Sequence, residues 1–235
     1  MPLNASRQAI GSTVVTTDWT AGVRLWFAPP EVAGSLDISH LTADEAGEFS
    51  RIRGTRKQCD WKASRLLLHA AGPELTDSRS LAHSHGYAAL AIGPGLTRVG
   101  VDIEVLSERN FAAIAQLAYG SDESDWLDSL ADETRQRSAF YELWTLKEAS
   151  IKALGLPLLE GLRNCRFVDQ DGLWNPWLPT TQSWVAATFM PTPNVILSVV
   201  LTGFSSQPGS FRPICIEWPD RPVSWPALRS ISKLA

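Results

Sequence analysis

Gly100-Val101-Asp102-Ile103-Glu104 combines an apolar run with two carboxylates that are two residues apart. The run is typical of a β-strand, and we predict that strand over Arg98 to Val105. Alternate side chains of a strand project from the same face, so Asp102 and Glu104 point in one direction. The strand therefore presents a pair of acids together.

A second stretch, Trp144-Thr145-Leu146-Lys147-Glu148-Ala149-Ser150-Ile151-Lys152, follows about forty residues later within a helical pattern. We predict this helix over Glu133 to Leu154, with Gly155 ending it. Glu148 and Lys152 are four residues apart, so they share one face of the helix.

Packing of this helix on the strand would bring Asp102, Glu104 and Glu148 into one small volume. Three hard oxygen ligands suit Mg²⁺ or Mn²⁺, and Lys152 would add a positive charge for a phosphate oxygen. Taken singly, these residues are compatible with solvated surface charges, where an ion pair is worth only ~0.3–0.5 kcal/mol. Their combination favours a site for metal-assisted phosphate chemistry.

The two stretches together resemble the bipartite motif of the 4′-phosphopantetheinyl transferase superfamily. That motif is an aliphatic-Gly-aliphatic-Asp segment followed by Trp/Phe-small-x-Lys-Glu-Ala-x-x-Lys, and the 46 positions from Asp102 to Glu148 fit its usual interval. The resemblance implies an α+β fold of two pseudo-symmetric halves, each a helix-packed antiparallel sheet. Sfp-type members are monomers of about this length, with the active site at the junction of the halves, here near residue 100.

The resemblance also implies an activity: transfer of the 4′-phosphopantetheine group from coenzyme A to a serine of an apo acyl or peptidyl carrier protein, with release of 3′,5′-ADP. Asp102, Glu104 and Glu148 are then expected to hold Mg²⁺ or Mn²⁺. Glu148 is expected to act as the base, directly or through a water, and Lys152 to stabilise charge on the leaving phosphate. Glu123 is a weaker candidate for a further acid near the metal.

A third segment, Ala82-His83-Ser84-His85-Gly86, resembles the family's phosphate-binding Ser-His-Ser segment. His83 aligns with the family histidine, and His85 is the less favoured alternative. An imidazole beside a turn that contains glycine can donate to phosphate oxygens and tolerates close approach of the backbone. We therefore expect His83 to bind coenzyme A.

Basic residues between positions 51 and 65 could hold the phosphates of coenzyme A through charge-assisted bonds. Arg65 resembles the family's helix arginine best, and Arg56 comes second. The family's Gly-Lys-Pro-like loop is missing between Gly72 and Leu81, so Arg79 is the expected substitute for its lysine. Lys152 is expected to contact the coenzyme as well.

Two other classes of function stay open at this point. A Mg-dependent pyrophosphate hydrolase would release phosphopantetheine without any carrier protein. A non-catalytic relative would bind coenzyme A or a carrier protein and transfer nothing. Phe111 to Tyr119 is apolar enough for a carrier-binding surface, but it fits an ordinary buried helix better.

Composition sets the outer bounds. The 235 residues carry a net charge of −4, are 44% hydrophobic and 20% charged, and thus indicate a globular protein without the basic surface of nucleic-acid binding. Three widely spaced cysteines indicate reduced thiols in a cytoplasmic protein. Residues 1–15 show no secretory signal, and no apolar run is long enough to span a membrane.

Predicted organisation follows from the local signals. We expect an N-terminal half at 1–100, a C-terminal half at 101–207 that carries most of the metal ligands, and a surface tail at 208–235. Thr42 and Glu45 form the signature of a capping box at a helix start. Further elements are predicted as a strand at 23–27, a helix at 61–71, strands at 87–92 and 98–105 joined by a turn, and strands at 164–168, 184–189 and 195–201.

Overall fold

The computed structural model describes residues 22–72, 78–108, 111–204, 213–225 and 227–233. The helices are α1 (Ala43–Arg51), α2 (Thr55–Ala71), α3 (Phe111–Ala118), α4 (Ser121–Asp128), α5 (Glu133–Leu154) and α6 (Leu158–Asn164). The first strands are β1 (Arg24–Ala28), β2 (Ser78–Ser84), β3 (Tyr87–Gly93), β4 (Arg98–Val105), β5 (Arg166–Val168) and β6 (Trp174–Trp177). They are followed by β7 (Trp184–Thr192), β8 (Val195–Thr202), β9 (Ile214–Glu217), β10 (Arg221–Val223) and β11 (Ala227–Lys233).

Two sheets form the centre of the described chain. Sheet A has the strand order β10-β9-β1-β3-β2, and sheet B has the order β11-β7-β8-β4. Strands β5 and β6 form a separate hairpin. Among the strands of the described ranges, every pairing is antiparallel except that of β1 with β9, which is parallel. The α+β class predicted from the sequence is confirmed.

Strand periodicity explains the order of the layers. Leu25 and Phe27 of β1 pack into a core shared with Val101 of β4 and the apolar side chains of β7 and β8, between the two sheets. Trp26 points to the opposite face of β1, where Leu67 of α2 covers it. The outer face of sheet B packs against α5 in the same way. The layers are therefore α2, sheet A, sheet B and α5.

The termini of the helices obey local signals. The side chain of Thr42 accepts from the backbone N–H of Glu45, and the Glu45 carboxylate accepts from that of Thr42, so the predicted capping box is present. Helix α5 begins at Glu133 and ends at Leu154, as predicted, with Gly155 in the left-handed conformation after it.

The structure corrects the expected pairing of two strands and adds a strand that was not expected. Strands β3 and β4 do not pair with each other: β3 lies in sheet A between β1 and β2, whereas β4 pairs with β8 in sheet B. Residues 78–84 form β2, which the sequence did not reveal. The predicted boundary at residue 100 falls inside β4, and the division into two halves stays a prediction.

The structure also corrects the expected surface tail. Within 208–235, the described residues form β9 and β10 of sheet A and β11 of sheet B. Trp225 packs edge-on against Phe27 at 5.7 Å between ring centroids and against Phe189 at 6.2 Å. The segment therefore belongs to both sheets, because its apolar side chains complete the cores of each.

None of the helices in the described ranges combines the length and the apolar character that crossing a bilayer would require.

Candidate active site

Helix α5 lies against β4 at an unusually short distance. A Cβ on Gly100 would lie 1.9 Å from the carbonyl oxygen of Ala149 and 2.6 Å from the backbone nitrogen of Ala153. Only a residue without a side chain allows the helix and the strand to approach this closely. This contact places the carboxylates of the strand beside those of the helix.

Asp102 and Lys152 join the two elements directly. The Nζ atom of Lys152 donates to Oδ1 of Asp102 at 2.8 Å and to the carbonyl oxygen of Val101 at 3.0 Å. Asp102 is buried, whereas 33% of the Lys152 side chain is exposed. Burial raises the pKa of Asp102 above the ordinary value of a carboxyl, and the Lys152 ammonium opposes this shift.

Glu148 and Glu104 lie close enough to Asp102 to act on it electrostatically, since both raise its pKa. Partial burial also raises the pKa of Glu148, with Lys152 opposing and Glu104 adding to the shift. Glu104 is held differently: its Oε2 accepts a hydrogen bond of 2.7 Å from the Ser84 hydroxyl. The structure thus places all four residues predicted from the two motif stretches within electrostatic range of one another.

The three carboxylates are not arranged around a common point, as the ligands of one metal ion would be. Among the described residues, no three His, Cys, Asp or Glu side chains are gathered so as to hold a metal ion. Instead, Asp102 pairs with Lys152, and Glu104 accepts a hydrogen bond from Ser84. Oδ2 of Asp102, however, is buried without a hydrogen-bond partner, and a hard cation would satisfy it. The donor set fits Mg²⁺, and the metal site stays a prediction.

His83 lies at the end of β2, beside the first turns of α2. Its Nδ1 is 3.9 Å from Oδ2 of Asp60, and about half of its side chain is exposed. Oδ1 of Asp60 accepts from the backbone N–H of Gly86. Arg56 lies one helical turn before Asp60 on the same face of α2, and it is exposed. His83 and Arg56 therefore border one surface.

The other two predicted arginines lie elsewhere. Arg65 pairs with Glu48 of α1 and stacks on the Trp61 ring, with its guanidinium carbon 4.9 Å from the ring centroid. Its position is roughly 140° around α2 from Asp60, so the structure does not bring Arg65 to His83. Arg79 shares a face of β2 with His83, about 13 Å along the strand. Its Nε and Nη2 are buried with no hydrogen-bond partner among the described residues.

Lys147 and Glu123 form a buried ion pair that the sequence did not reveal. The two side chains are 0% exposed, and Nζ of Lys147 lies 2.7 Å from Oε2 of Glu123. Lys147 also donates to the carbonyl oxygens of Leu162 and Cys165, and burial lowers its pKa. Lys147 is therefore not a surface charge. Glu123 is engaged with Lys147 and the backbone N–H of Phe167 rather than with the acids of β4.

The segment from Phe111 to Tyr119 has a mixed character. Ala115, Ala118 and Tyr119 are buried, whereas Leu117 is 70% exposed. The buried-helix interpretation holds for one face, and the other face is open to solvent.

Comparison with known protein families identifies a family that the segment around the site resembles. Residues 98–183 match the model of the 4′-phosphopantetheinyl transferase superfamily. The matched segment runs from β4 through α5 and ends one residue before β7, and it includes Asp102, Glu104, Glu148 and Lys152. The resemblance seen in the two motif stretches is confirmed for this segment.

Individual relatives carry the same name. The 4′-phosphopantetheinyl transferase gsp of Aneurinibacillus migulanus is 41% identical over 76 residues, 32% of this chain and 30% of that protein. The 4′-phosphopantetheinyl transferase HetI of Nostoc is 30% identical over 133 residues, covering 55% and 53%. The human L-aminoadipate-semialdehyde dehydrogenase-phosphopantetheinyl transferase is 34% identical over 148 residues, covering 60% and 47%. The chain thus spans about half the length of these relatives, or less.

Proposed function

We propose that this chain is an Sfp-type 4′-phosphopantetheinyl transferase. It transfers the 4′-phosphopantetheine group of coenzyme A to a serine of an apo acyl or peptidyl carrier protein and releases 3′,5′-ADP. The observation that carries the proposal is the Asp102–Lys152 pair at the contact of β4 with α5, with Glu104 and Glu148 beside it. The superfamily match and the names of the relatives support the same reaction.

The reaction forms a bond between the serine oxygen of the carrier and the phosphorus that bears pantetheine. The bond from this phosphorus to the bridging oxygen breaks, and that oxygen leaves with 3′,5′-ADP and the electron pair. Glu148 accepts the serine proton, directly or through a water, because burial raises the pKa of its carboxyl and makes it a stronger base. Lys152 approaches the departing phosphate and stabilises its charge. Mg²⁺, held by Asp102, Glu104 and Glu148, would neutralise the pyrophosphate and align it for in-line displacement.

Coenzyme A binding is assigned to the surface that His83 and Arg56 border, next to the N-terminus of α2. A helix N-terminus and nearby cations favour phosphate groups. Arg79 is placed further along β2, where its guanidinium would meet a more distant part of the coenzyme. Arg65, which pairs with Glu48, would have to exchange that partner for a phosphate and is the weakest member of the set.

Intact-mass spectrometry tests the proposal. The chain is incubated with coenzyme A, Mg²⁺ and a panel of apo carrier proteins, and we expect phosphopantetheine addition to at least one of them. Asp102→Ala and Glu148→Ala should abolish addition, whereas Asp128→Ala, which removes an exposed acid on α4, should not. Parent rates in both active-site variants would overturn the assignment.

The same incubation separates the alternatives. In a parallel sample without carrier proteins, release of phosphopantetheine would identify a hydrolase. Binding of coenzyme A without any product in either sample would identify a non-catalytic relative. Light scattering coupled to size-exclusion chromatography tests the expected monomer.

A further inference from the structure

Sheets A and B are joined along β2 and β4 by serine side chains. The Ser78 hydroxyl oxygen accepts from the backbone N–H of Val99 at 2.9 Å, and that of Ser80 accepts from Val101 at 3.0 Å. These amides lie on the edge of β4 that does not pair with β8. Hydroxyls spaced two residues apart on β2 therefore replace the carbonyl oxygens of a neighbouring strand.

Ser84, six residues after Ser78 on the same face of β2, ends this series at the candidate site. Its hydroxyl donates to Oε2 of Glu104 at 2.7 Å and lies 3.0 Å from Nδ1 of His85. A serine hydroxyl has a single proton, which is directed at the carboxylate. The contact with His85 must then run the other way, with Nδ1–H donating to the Ser84 oxygen. His85, Ser84 and Glu104 thus form one directed chain of hydrogen bonds.

The turn that carries this chain is fixed from several sides. His85 and Gly86 adopt φ angles of +53° and +88°, which are typical of the two-residue turn that closes a tight hairpin. The N–H of Gly86 donates to Asp60, and a Cβ on Gly86 would lie 2.8 Å from Cβ of Pro30. Ser84 is itself buried. The contacts of the turn therefore fix the position of the Ser84 hydroxyl, independently of the carboxylates of the candidate site.

We propose that Ser84 is a positioning residue for Glu104 and that His85 orients the Ser84 hydroxyl. The inference rests on the proposed function, because Glu104 matters there as a ligand of a divalent cation. A glutamate side chain has several rotamers, and a fixed donor on Oε2 restricts them and leaves the second oxygen for the cation. Loss of an outer hydrogen bond of this kind typically weakens metal binding by about 10- to 100-fold.

Mn²⁺ titration of the full chain, followed by electron paramagnetic resonance without substrates, tests the inference. Ser84→Ala should weaken Mn²⁺ binding about tenfold, while Ser84→Thr, which keeps the hydroxyl, should bind near the parent level. Ser78→Ala removes a serine that does not contact Glu104 and should leave Mn²⁺ affinity unchanged. His85→Asn, in which asparagine tolerates the left-handed turn, should give a loss smaller than that of Ser84→Ala.

Equal Mn²⁺ affinity of Ser84→Ala and the parent would overturn the inference, as would a parent that binds no Mn²⁺. A loss in Ser84→Thr as large as that in Ser84→Ala would attribute the effect to packing and overturn it too. Parent affinity in His85→Asn would remove His85 from the chain. Thermal unfolding of each variant shows that it is folded at the titration temperature.

The carrier assay keeps this inference apart from the proposed function. Weak Mn²⁺ binding by Ser84→Ala together with a parent that modifies no carrier would refute the transferase proposal alone. An active parent together with unchanged Mn²⁺ binding in Ser84→Ala would refute the positioning role alone.

Discussion

Gly100→Ala tests the contact that brings the acids of β4 to those of α5. The new Cβ would lie 1.9 Å from the carbonyl oxygen of Ala149 and 2.6 Å from the nitrogen of Ala153. Both atoms belong to the backbone of a long helix, so no rotamer change can relieve the clash. Helix α5 must retreat from β4 by more than about 1 Å before the atoms reach an ordinary separation.

The magnitude follows from this displacement. Overpacking a well-packed core by one methyl group typically costs about 1–3 kcal/mol, and a clash with helix backbone belongs near the upper end. A loss of about 3 kcal/mol lowers Tm by about 6–12 °C in a protein of this size. The same retreat stretches the 2.8 Å bond between Asp102 and Lys152, and a misplacement of about 1 Å can reduce turnover by about 10²-fold.

Chemical denaturation and carrier modification, both measured at a temperature where the variant is folded, check the two effects. Gly47→Ala is the matched control, because Gly47 lies in α1 with nothing within 4 Å of a Cβ. It should leave turnover unchanged and stabilise the protein by up to about 1 kcal/mol. Parent stability and parent turnover in Gly100→Ala would refute the close contact.

Three further predictions concern residues outside the carboxylate cluster. Lys147→Met leaves the charge of Glu123 buried without a partner and should lower the free energy of unfolding in urea by about 3–5 kcal/mol. Adding Glu123→Gln should make this loss smaller, whereas additive losses would argue against coupling of the two residues. Ser80→Ala should cost about 1–2 kcal/mol and speed hydrogen exchange of the β4 amide that it binds, whereas unchanged exchange would exclude that bond. The pKa of Glu45 is lowered from 4.5 to about 2, mainly by the hydrogen bond with His69. The ionised Glu45 carboxylate therefore stabilises the folded protein above pH 4.5, and this stabilisation is lost as the pH falls toward 2. His69→Ala should therefore shrink the fall in Tm between pH 5 and pH 2.5, and an unchanged fall would contradict this.

Helix ends were predictable because their signals are local. Thr42 and Glu45 are three residues apart and satisfy each other's backbone groups, whatever the rest of the chain does. Gly155 ends α5 because a left-handed residue is needed there and glycine adopts that conformation without cost from a Cβ. The four residues of the candidate site could be proposed from the sequence for a similar reason, since two short motifs contain them all.

Strand pairing was not predictable because its partners are distant in sequence. β9 pairs in parallel with β1 across most of the length of the chain. The serines of β2 show no strong alternation of apolar and polar residues, and their partners are amides of β4 in the other sheet. The burial of Lys147 depends on Glu123, which lies one helix earlier, so the motif alone could not distinguish it from a surface lysine.

The two motifs contain residues of two physical kinds, and this gives a last prediction. Gly100 and Lys147 hold β4, α5 and α4 together through packing and a buried ion pair, whereas Glu148 is a partly buried acid among other acids. Glu148→Gln keeps the shape of the side chain and removes one negative charge from a repelling cluster. It should therefore abolish carrier modification while Tm stays at or above the parent value, in contrast to Gly100→Ala and Lys147→Met, which lose both. A fall in Tm of more than about 4 °C in Glu148→Gln would show that this acid also supports the fold, because a loss of about 1 kcal/mol or more would be needed to produce it.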